Sequence, residues 1–319
     1  MSLINKIKYQ YNLRILQDHL SANNYTDFFN LLEQIKSNNY VYIKFLNDFC
    51  VDVISKCNED LFKSKIIWLS SFINEDTTYI NSFLNYYNKE VGNNVKEVSN
   101  YEEILISSLK KFTHIEKLNF ADFVDKSYIY QYLILHDDAF PIKFLSNHLP
   151  FFSSQNNLNF TKSTLTNSYI YILDHPYNVY QTIKNSNNGD QEIARNYFLN
   201  LDNHSFYNKI NNVDVELNKQ GWHTHTQSWT NTNVINSLNG KIILKKDLAY
   251  DTYEVLSSII LHFIQSGSNF NMDYKIIEKF IDRHPFNTNP SKVEISQKEK
   301  KFLDKYVDNI VSSYNLDLL

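Results

Sequence analysis

Three stretches of the sequence share one pattern: an apolar run of strand length, a short polar turn and an amphipathic helix. They begin at Lys65 (KIIWLSSFINEDTTYINSFL), Ser168 (SYIYILDHPYNVYQTI) and Gly240 (GKIILKKDLAYDTYEVL), and a shorter apolar run begins at Ile142 (IKFLSNHLPFF). Parallel strands need crossover connections, which are usually helical. The repetition therefore predicts an α/β fold, with a central parallel sheet of about four or five strands flanked by helices on both faces.

The chain before Lys65 shows helical spacing only, for example at Leu13, Leu16 and Leu20. We predict a helical N-terminal extension over residues 1–62 and an α/β domain over residues 63–319. The extension either packs against the domain or offers a surface to a protein partner, and of the two we favour packing.

The overall charge and hydropathy of the chain give no sign of several classes of protein. The formal net charge is −4, which does not indicate a nucleic-acid binder or a polybasic membrane binder. No apolar run is long enough to predict a membrane span, and the N-terminus has no secretory signal pattern. Cys50 and Cys57 are two helical turns apart, too far for a disulfide. These features predict a cytoplasmic protein.

The turn after the first predicted strand carries an unusual charge. Strand–turn–helix junctions bind phosphate because a helix N-terminus offers unpaired N–H donors and the positive end of its dipole. Here the turn reads Ile73-Asn74-Glu75-Asp76, with two carboxylates and neither glycine nor lysine. A carboxylate repels an anion, so we predict that Glu75 or Asp76 caps the helix instead.

In their order, these units resemble the sulfotransferases that use 3′-phosphoadenosine 5′-phosphosulfate (PAPS). The resemblance runs from Lys65 to about Asp308 and rests on the series rather than on any one motif. The stretches that carry it are KIIWLSSFINEDTTYINSFL, KFLSNHLP, YILDHPYNVYQTI, GWHTHTQSW, IILKKDLAYDTYEVL and EISQKEKKFLDKYVDNI. It implies a sulfotransferase-like P-loop fold, with PAPS as donor and 3′-phosphoadenosine 5′-phosphate (PAP) as product.

The resemblance also implies donor-binding positions, several with altered charge. The family's loop lysine corresponds to Asn74, and the arginine of its 3′-phosphate motif corresponds to Asp174. We expect this charge reversal to make Asp174 repel the 3′-phosphate. Arg283 stands near the place of a late basic motif, and it is one of only three arginines. The donor-binding residues implied in this way are Asn74, Thr77, Thr78, Thr182 and Arg283.

His148, in the stretch SNHLP, corresponds to the family's catalytic histidine. That histidine takes a proton from the acceptor as the acceptor attacks sulfur, a task suited to a pKa near neutrality. The alternative interpretation is a core histidine hydrogen-bonded to an aspartate or to the backbone.

His223 and His225 form a His-x-His pair beside Trp222. On a strand this spacing suits a metal, but on the helix predicted here the two side chains point apart. No third ligand is evident, and we predict no metal.

Two hypotheses follow. The first is a sulfotransferase-like enzyme that transfers a sulfuryl group from PAPS to a hydroxyl or amine acceptor, impaired by its acidic loop. The alternative is a catalytically inactive protein of the same fold that serves as a binding or scaffold protein. Under either hypothesis we expect PAPS and PAP to bind with a dissociation constant above about 1 mM.

Overall fold

The computed structural model describes residues 3–22, 24–35, 42, 45–57, 65–93, 97–101, 103–104, 117–118, 120–135, 142–151, 159–200, 206–210, 213–217, 221–286, 295–314 and 316. The helices are α1 (Leu3–Ser21), α2 (Tyr25–Ile35), α3 (Val51–Lys56, after a π-helical turn at Leu46–Cys50), α4 (Asn74–Glu90), α5 (Phe120–Leu135), α6 (Pro176–Ser186), α7 (Gln191–Leu199), α8 (Trp222–Thr230), α9 (Thr232–Ser237), α10 (Lys245–Tyr250), α11 (Thr252–Gln265), α12 (Tyr274–Arg283) and α13 (Gln297–Tyr314). The strands are β1 (Lys65–Ser71), β2 (Ser99–Asn100), β3 (Lys117–Leu118), β4 (Ile142–Asn147), β5 (Thr166–Leu173), β6 (Phe206–Ile210), β7 (Val213–Leu217) and β8 (Gly240–Leu244).

The central sheet has five strands in the order β2-β4-β1-β5-β8. Every pairing in it is parallel. The predicted α/β fold with a central parallel sheet is therefore confirmed, and the strands predicted at Lys65, Ile142, Ser168 and Gly240 all belong to it. Parallel pairing brings the carboxyl ends of neighbouring strands to one edge, where open α/β sheets bind ligands.

Helices cover both faces of this sheet, as continuous apolar strands predict. Trp68 and Tyr169 belong to a hydrophobic cluster that also contains residues of α1, α2, α5 and α8. Ile67 and Leu69, on the opposite face of β1, belong to a second cluster with residues of α4, α11 and α12. The sheet thus forms the middle layer and presents its edges, including the carboxyl edge, between the two helical layers.

The described N-terminal helices share the first of these cores. The ring of Phe29 in α2 stacks on Tyr132 in α5 with centroids 5.1 Å apart, and Leu16 in α1 is completely buried. Packing, which the sequence analysis favoured for this segment, therefore accounts for one side of these helices. The division between residues 62 and 63 stays a prediction.

A second, small sheet was not predicted. It has three strands in the order β3-β7-β6. β6 and β7 pair antiparallel, with Ile210 opposite Val213 and only two residues between the strands. The hairpin lies between α7 and α8 in the chain, outside the five-stranded sheet. Among the described helices, none has a stretch long and apolar enough to cross a bilayer.

Candidate functional site

The carboxyl edge of the central sheet collects the segments that carry the predicted chemistry. β1 ends at Ser71, β4 ends at Asn147 next to His148, and β5 ends at Leu173 next to Asp174. The register places Ser70 opposite Asn147 and Leu173 opposite Leu244. As a consequence, Ser71 meets His148, and Asp174 meets the residue that follows β8.

The turn after β1 is shorter than predicted. It contains Phe72 and Ile73, and α4 begins at Asn74 rather than near Thr77. Ile73 occupies the N-cap position in an extended conformation, so neither Glu75 nor Asp76 is the N-cap residue. Capping of the first turn by either carboxylate lies outside the described residues and stays a prediction. Ser71 closes the turn by donating from Oγ to the carbonyl of Ile73 (2.6 Å), which lets the helix start early.

This early start places Asn74, Glu75 and Asp76 in the first helical turn, although their side chains lie outside the described part of the structure. The next two residues face different ways. Thr77 is buried (2% exposed), whereas Thr78 is exposed to solvent. Only Thr78 therefore presents its side chain to a ligand in solution, and donor binding by both threonines stays a prediction.

His148 lies directly against the end of β1 and is almost buried (9% exposed). Its Nδ1 is 3.2 Å from the carbonyl oxygen of Ser71 and 3.4 Å from Ser71 Oγ. A carbonyl only accepts, and the Ser71 hydroxyl already donates to Ile73, so Nδ1 carries the proton of the neutral imidazole. The lone pair is then on Nε2, the nitrogen that a general base would use.

Side chains of helix α8 form hydrogen bonds with the backbone of segment 148–151, which contains this histidine. His225 donates from Nε2 to the first carbonyl of the segment (3.2 Å), and Trp229 donates from Nε1 to the second (2.8 Å). Ser228 accepts through Oγ from the amide of the last residue (2.9 Å). Three side chains spaced along one face of α8 thus hold the backbone beside His148 at three points.

His225 is itself oriented by a buried hydroxyl pair. Its Nε2 donates to a carbonyl, so Nδ1 of the neutral ring accepts from the hydroxyl of Tyr171 (3.0 Å). Thr226 Oγ1 lies 3.2 Å from the same hydroxyl. His223 points elsewhere, as predicted for a helix, and burial lowers its pKa. Among the described residues no three His, Cys, Asp or Glu side chains are grouped as metal ligands.

Asp174 is the second buried polar centre of the edge. Its Oδ1 accepts from the amide of His175 (2.7 Å) and from Asn178 Nδ2 (2.9 Å). Its Oδ2 forms an ion pair with Lys245 Nζ at 2.9 Å. We expected this carboxylate to oppose the 3′-phosphate of a donor. The structure corrects that view, because Lys245 compensates its charge within the fold and joins β5 to the start of α10.

The described contacts of Thr182 and Arg283 do not involve the turn after β1. Thr182 is the seventh residue of α6, about 9 Å along the helix axis from its first residue. Arg283 is exposed at the end of α12 and points its guanidinium at Tyr86, with 3.4 Å from Nη1 to the phenol oxygen. Tyr86 lies about 18 Å along α4 from Asn74. Their roles in donor binding stay predictions.

Three contacts of the candidate site were not predicted from the sequence: the Ser71–His148 contact, the Asp174–Lys245 pair and the hydrogen bonds from α8 to segment 148–151. Each joins residues at least 70 positions apart, so local pattern does not reveal it. The one signal present was the spacing of Trp222, His225 and Trp229, which we had connected with the resemblance but not with a role.

Comparison with known proteins adds little to this geometry. No protein family model and no curated protein matches the chain. Among solved structures, mouse sulfotransferase SULT7A1 complexed with PAP matches with a TM-score of 0.40 and 12% identity, over 83% of this chain and 90% of the mouse chain. A likeness of this degree does not bear on activity.

Proposed function

We propose that the carboxyl edge of the five-stranded sheet is a group-transfer site of the sulfotransferase kind, with His148 as general base and a weakened donor subsite. The order of the sequence motifs supports the reaction class. The observation that carries the proposal is the Ser71–His148 contact, which holds Nδ1 protonated and directs the basic nitrogen away from β1. Two buried thiols, Cys50 and Cys57, support a reducing compartment, for which we propose the cytoplasm.

In this proposal His148 Nε2 accepts the proton of a hydroxyl or amine acceptor while the acceptor atom bonds to sulfur. The bond between sulfur and the phosphate oxygen of PAPS breaks in the same displacement, and PAP leaves with that electron pair. The α8 contacts keep the backbone of segment 148–151 fixed, so little reorganisation is needed when the acceptor arrives.

The donor subsite fits an anion poorly among the described residues. Asn74 provides no cation, and Lys245, the basic side chain at the end of β8, is already paired with Asp174. One phosphate charge about 4 Å from the carboxylate of Glu75 or Asp76 would be unfavourable by about 4 kcal/mol at an effective dielectric constant of 20. The backbone N–H groups of the first turn of α4 remain the main attraction.

Calorimetric titration with PAP tests the donor subsite. We expect a dissociation constant above about 1 mM for the natural chain. The triple variant Asn74→Lys, Glu75→Ser, Asp76→Gly should bind at least ten-fold more tightly, because it exchanges two negative charges for one positive charge. Asp174 is left unchanged, since arginine there would stand beside Lys245. The control Glu90→Ser with Glu97→Ser removes two carboxylates away from the turn and should leave binding unchanged.

A sulfuryl-transfer assay then tests the base. His148→Ala in the triple variant should lower the transfer rate by about 10²- to 10⁴-fold while leaving PAP affinity unchanged. Micromolar PAP binding by the natural chain would contradict the weakened subsite. Failure of the triple variant to bind PAP would favour the alternative, a catalytically inactive binding or scaffold protein, which the missing donor cation supports.

A further inference from the structure

Helix α1 carries an exposed apolar stripe. Leu3, Ile4, Ile7 and Tyr11 are 74%, 66%, 61% and 69% exposed, and they account for half of the eight large hydrophobic side chains exposed among the described residues. Their spacing of one, three and four residues places them on one side of an α-helix. No other described helix carries more than one such residue in this exposure class.

The opposite side of α1 is firmly packed, which fixes the direction of the stripe. Tyr9 stacks on Phe45 with ring centroids 4.7 Å apart, and its hydroxyl donates to Asp48 (2.8 Å). Leu16 is completely buried. The helix is thus apolar on two opposite sides, and among the described residues only one of these sides is covered.

The charges beside the stripe are basic. Successive residues of an α-helix are about 100° apart, so Lys6 and Lys8 stand on either side of Ile7. Both are exposed, as is Arg14 one turn beyond Tyr11. With Asp18 as its single acid, α1 carries a formal charge of +2, whereas the whole chain carries −4 and the remainder therefore −6.

We propose that this face of α1 binds an anionic phospholipid surface, with Leu3, Ile4 and Ile7 inserted between headgroups and Lys6 and Lys8 on the phosphates. Long lysine stems let an ammonium group reach the headgroup level while the stripe between them is immersed. Tyr11 places an apolar ring and a polar hydroxyl at the same boundary. The negative remainder of the molecule is repelled by such a surface, which leaves α1 as the side that approaches it.

A second copy of the chain fits this face less well. The four side chains expose on the order of 500 Å², below the roughly 800 Å² that each partner of a stable protein interface buries. Antiparallel pairing of two α1 helices, centred on the stripe, would also bring Lys6 of each copy towards Lys8 of the other. The same small area and the convex shape of a single helix argue against a protein groove as the main partner.

Co-sedimentation with vesicles tests the proposal on the full chain. We expect binding to vesicles of phosphatidylcholine with 30% phosphatidylserine, and at least ten-fold weaker binding to pure phosphatidylcholine. Ile4→Ser with Ile7→Ser, and separately Lys6→Glu with Lys8→Glu, should each weaken binding at least ten-fold. Leu261→Ser, at another exposed apolar residue, is the matched control and should bind like the natural chain.

Circular dichroism melting should be the same for all four proteins, because every substituted side chain is exposed. Equal binding to both vesicle types, or no binding to either, would overturn the proposal. So would a concentration-dependent dimer in light scattering that the Ile4→Ser, Ile7→Ser variant abolishes, since the stripe would then belong to a second copy. Unchanged vesicle binding by the Lys6→Glu, Lys8→Glu variant would also overturn it.

Discussion

The two loops that meet at Ser71 and His148 differ in the hydrogen bonds that hold them in place. Segment 148–151, after β4, is held by three side chains of a separate helix and contains a histidine whose proton position is set by its neighbours. The turn after β1 is closed by a local bond from Ser71 to Ile73, and its sequence has two acids where a phosphate site would need a cation. Under the proposed function, the acceptor side of the edge is thus preorganised, whereas the charge of the donor side is reversed.

This difference teaches that the two halves of a transfer site depend on different physics. A base needs direction, which buried hydrogen bonds supply and which changes little as long as α8 stays in place. An anionic donor needs charge at one helix terminus, and a few substitutions remove it without disturbing the fold. Under the proposed function, such substitutions would weaken the donor side of the sheet edge while the hydrogen bonds beside His148 stayed in place.

The largest effect should come from displacing α8. A Cβ atom at Gly221 would lie 2.1 Å from the carbonyl oxygen of Leu199, which is backbone and cannot rotate away. Gly221→Ala should lower the free energy of unfolding by about 3 kcal/mol in urea denaturation. Gly189→Ala is the control: its φ is +81° and nothing lies within 4 Å of the added atom, so it should cost about 1 kcal/mol. Equal losses of unfolding free energy in the two variants would mean that Gly221 does not pack closely against Leu199.

The contact between α6, the helix after β5, and α13 offers a pH-dependent test of stability outside the two loops. Glu299, at the start of α13, accepts from Lys184 of α6 (3.0 Å) and from the hydroxyl and amide of Ser296 (2.6 and 3.0 Å). Burial raises the pKa of this carboxyl, but the hydrogen bonds from Ser296 and Lys184 outweigh burial and lower it from 4.5 to about 2. The ionised form is therefore the one that the fold favours.

The lowered pKa of Glu299 determines how the stability of the fold changes with pH. A carboxyl with a depressed pKa stabilises the fold above pH 4.5 and loses this contribution as the pH falls towards 2. Between pH 7 and pH 3 the natural chain should lose about 2 kcal/mol that the Glu299→Gln variant does not lose. Urea denaturation at both pH values measures this, with Glu278→Gln on the surface of α12 as the control. An equal acid loss in both variants would show that Glu299 is not the responsible group.

Removing one of the α8 hydrogen bonds should have a similar but more local effect. Trp229→Phe deletes the donor to the carbonyl of Leu149 and leaves a gap, for about 2 kcal/mol of stability. Trp222→Phe removes the same atoms where the ring stacks on Phe198, away from segment 148–151. The imidazole resonances of His148 in NMR spectra should shift in the first variant and stay in place in the second. A shift of these resonances in Trp222→Phe but not in Trp229→Phe would show that α8 does not position His148.

The sequence revealed the sheet better than the site. Strands β1 and β5 are continuous apolar runs because both of their faces are covered, and such runs are visible without a structure. The hairpin β6–β7 was missed although two asparagines separate two apolar-alternating runs, a recognisable turn signal. The site depends on register, which sequence does not specify. Ser71 meets His148 only because Ser70 pairs with Asn147, and Asp174 meets Lys245 only because Leu173 pairs with Leu244.

Charge reversal was also misjudged for a physical reason. We expected Asp174 to repel a donor phosphate, because the repulsion between an unpaired carboxylate and a nearby anion is unfavourable by several kcal/mol. In the fold it is buried beside Lys245, and the pair presents almost no net charge. The electrostatic effect of an acidic residue in a motif therefore depends on whether the neighbouring strand places a cation beside it. The motif alone does not show this.

The smallest expected effect lies on the donor side, at Ser71. Ser71→Ala removes the hydroxyl that closes the turn onto Ile73, so it should cost about 1 kcal/mol, like the loss of one ordinary hydrogen bond. The proton of His148 should nevertheless stay on Nδ1, because the carbonyl of residue 71 remains its acceptor at 3.2 Å. Nitrogen-15 NMR of the imidazole reports which nitrogen is protonated. Ser82→Ala, which removes an exposed hydroxyl bonded to the Thr78 carbonyl in the same helix, is the control for stability. If the proton moved to Nε2 in Ser71→Ala, the orientation of the base would depend on the turn after β1, and the two loops would be one unit rather than two.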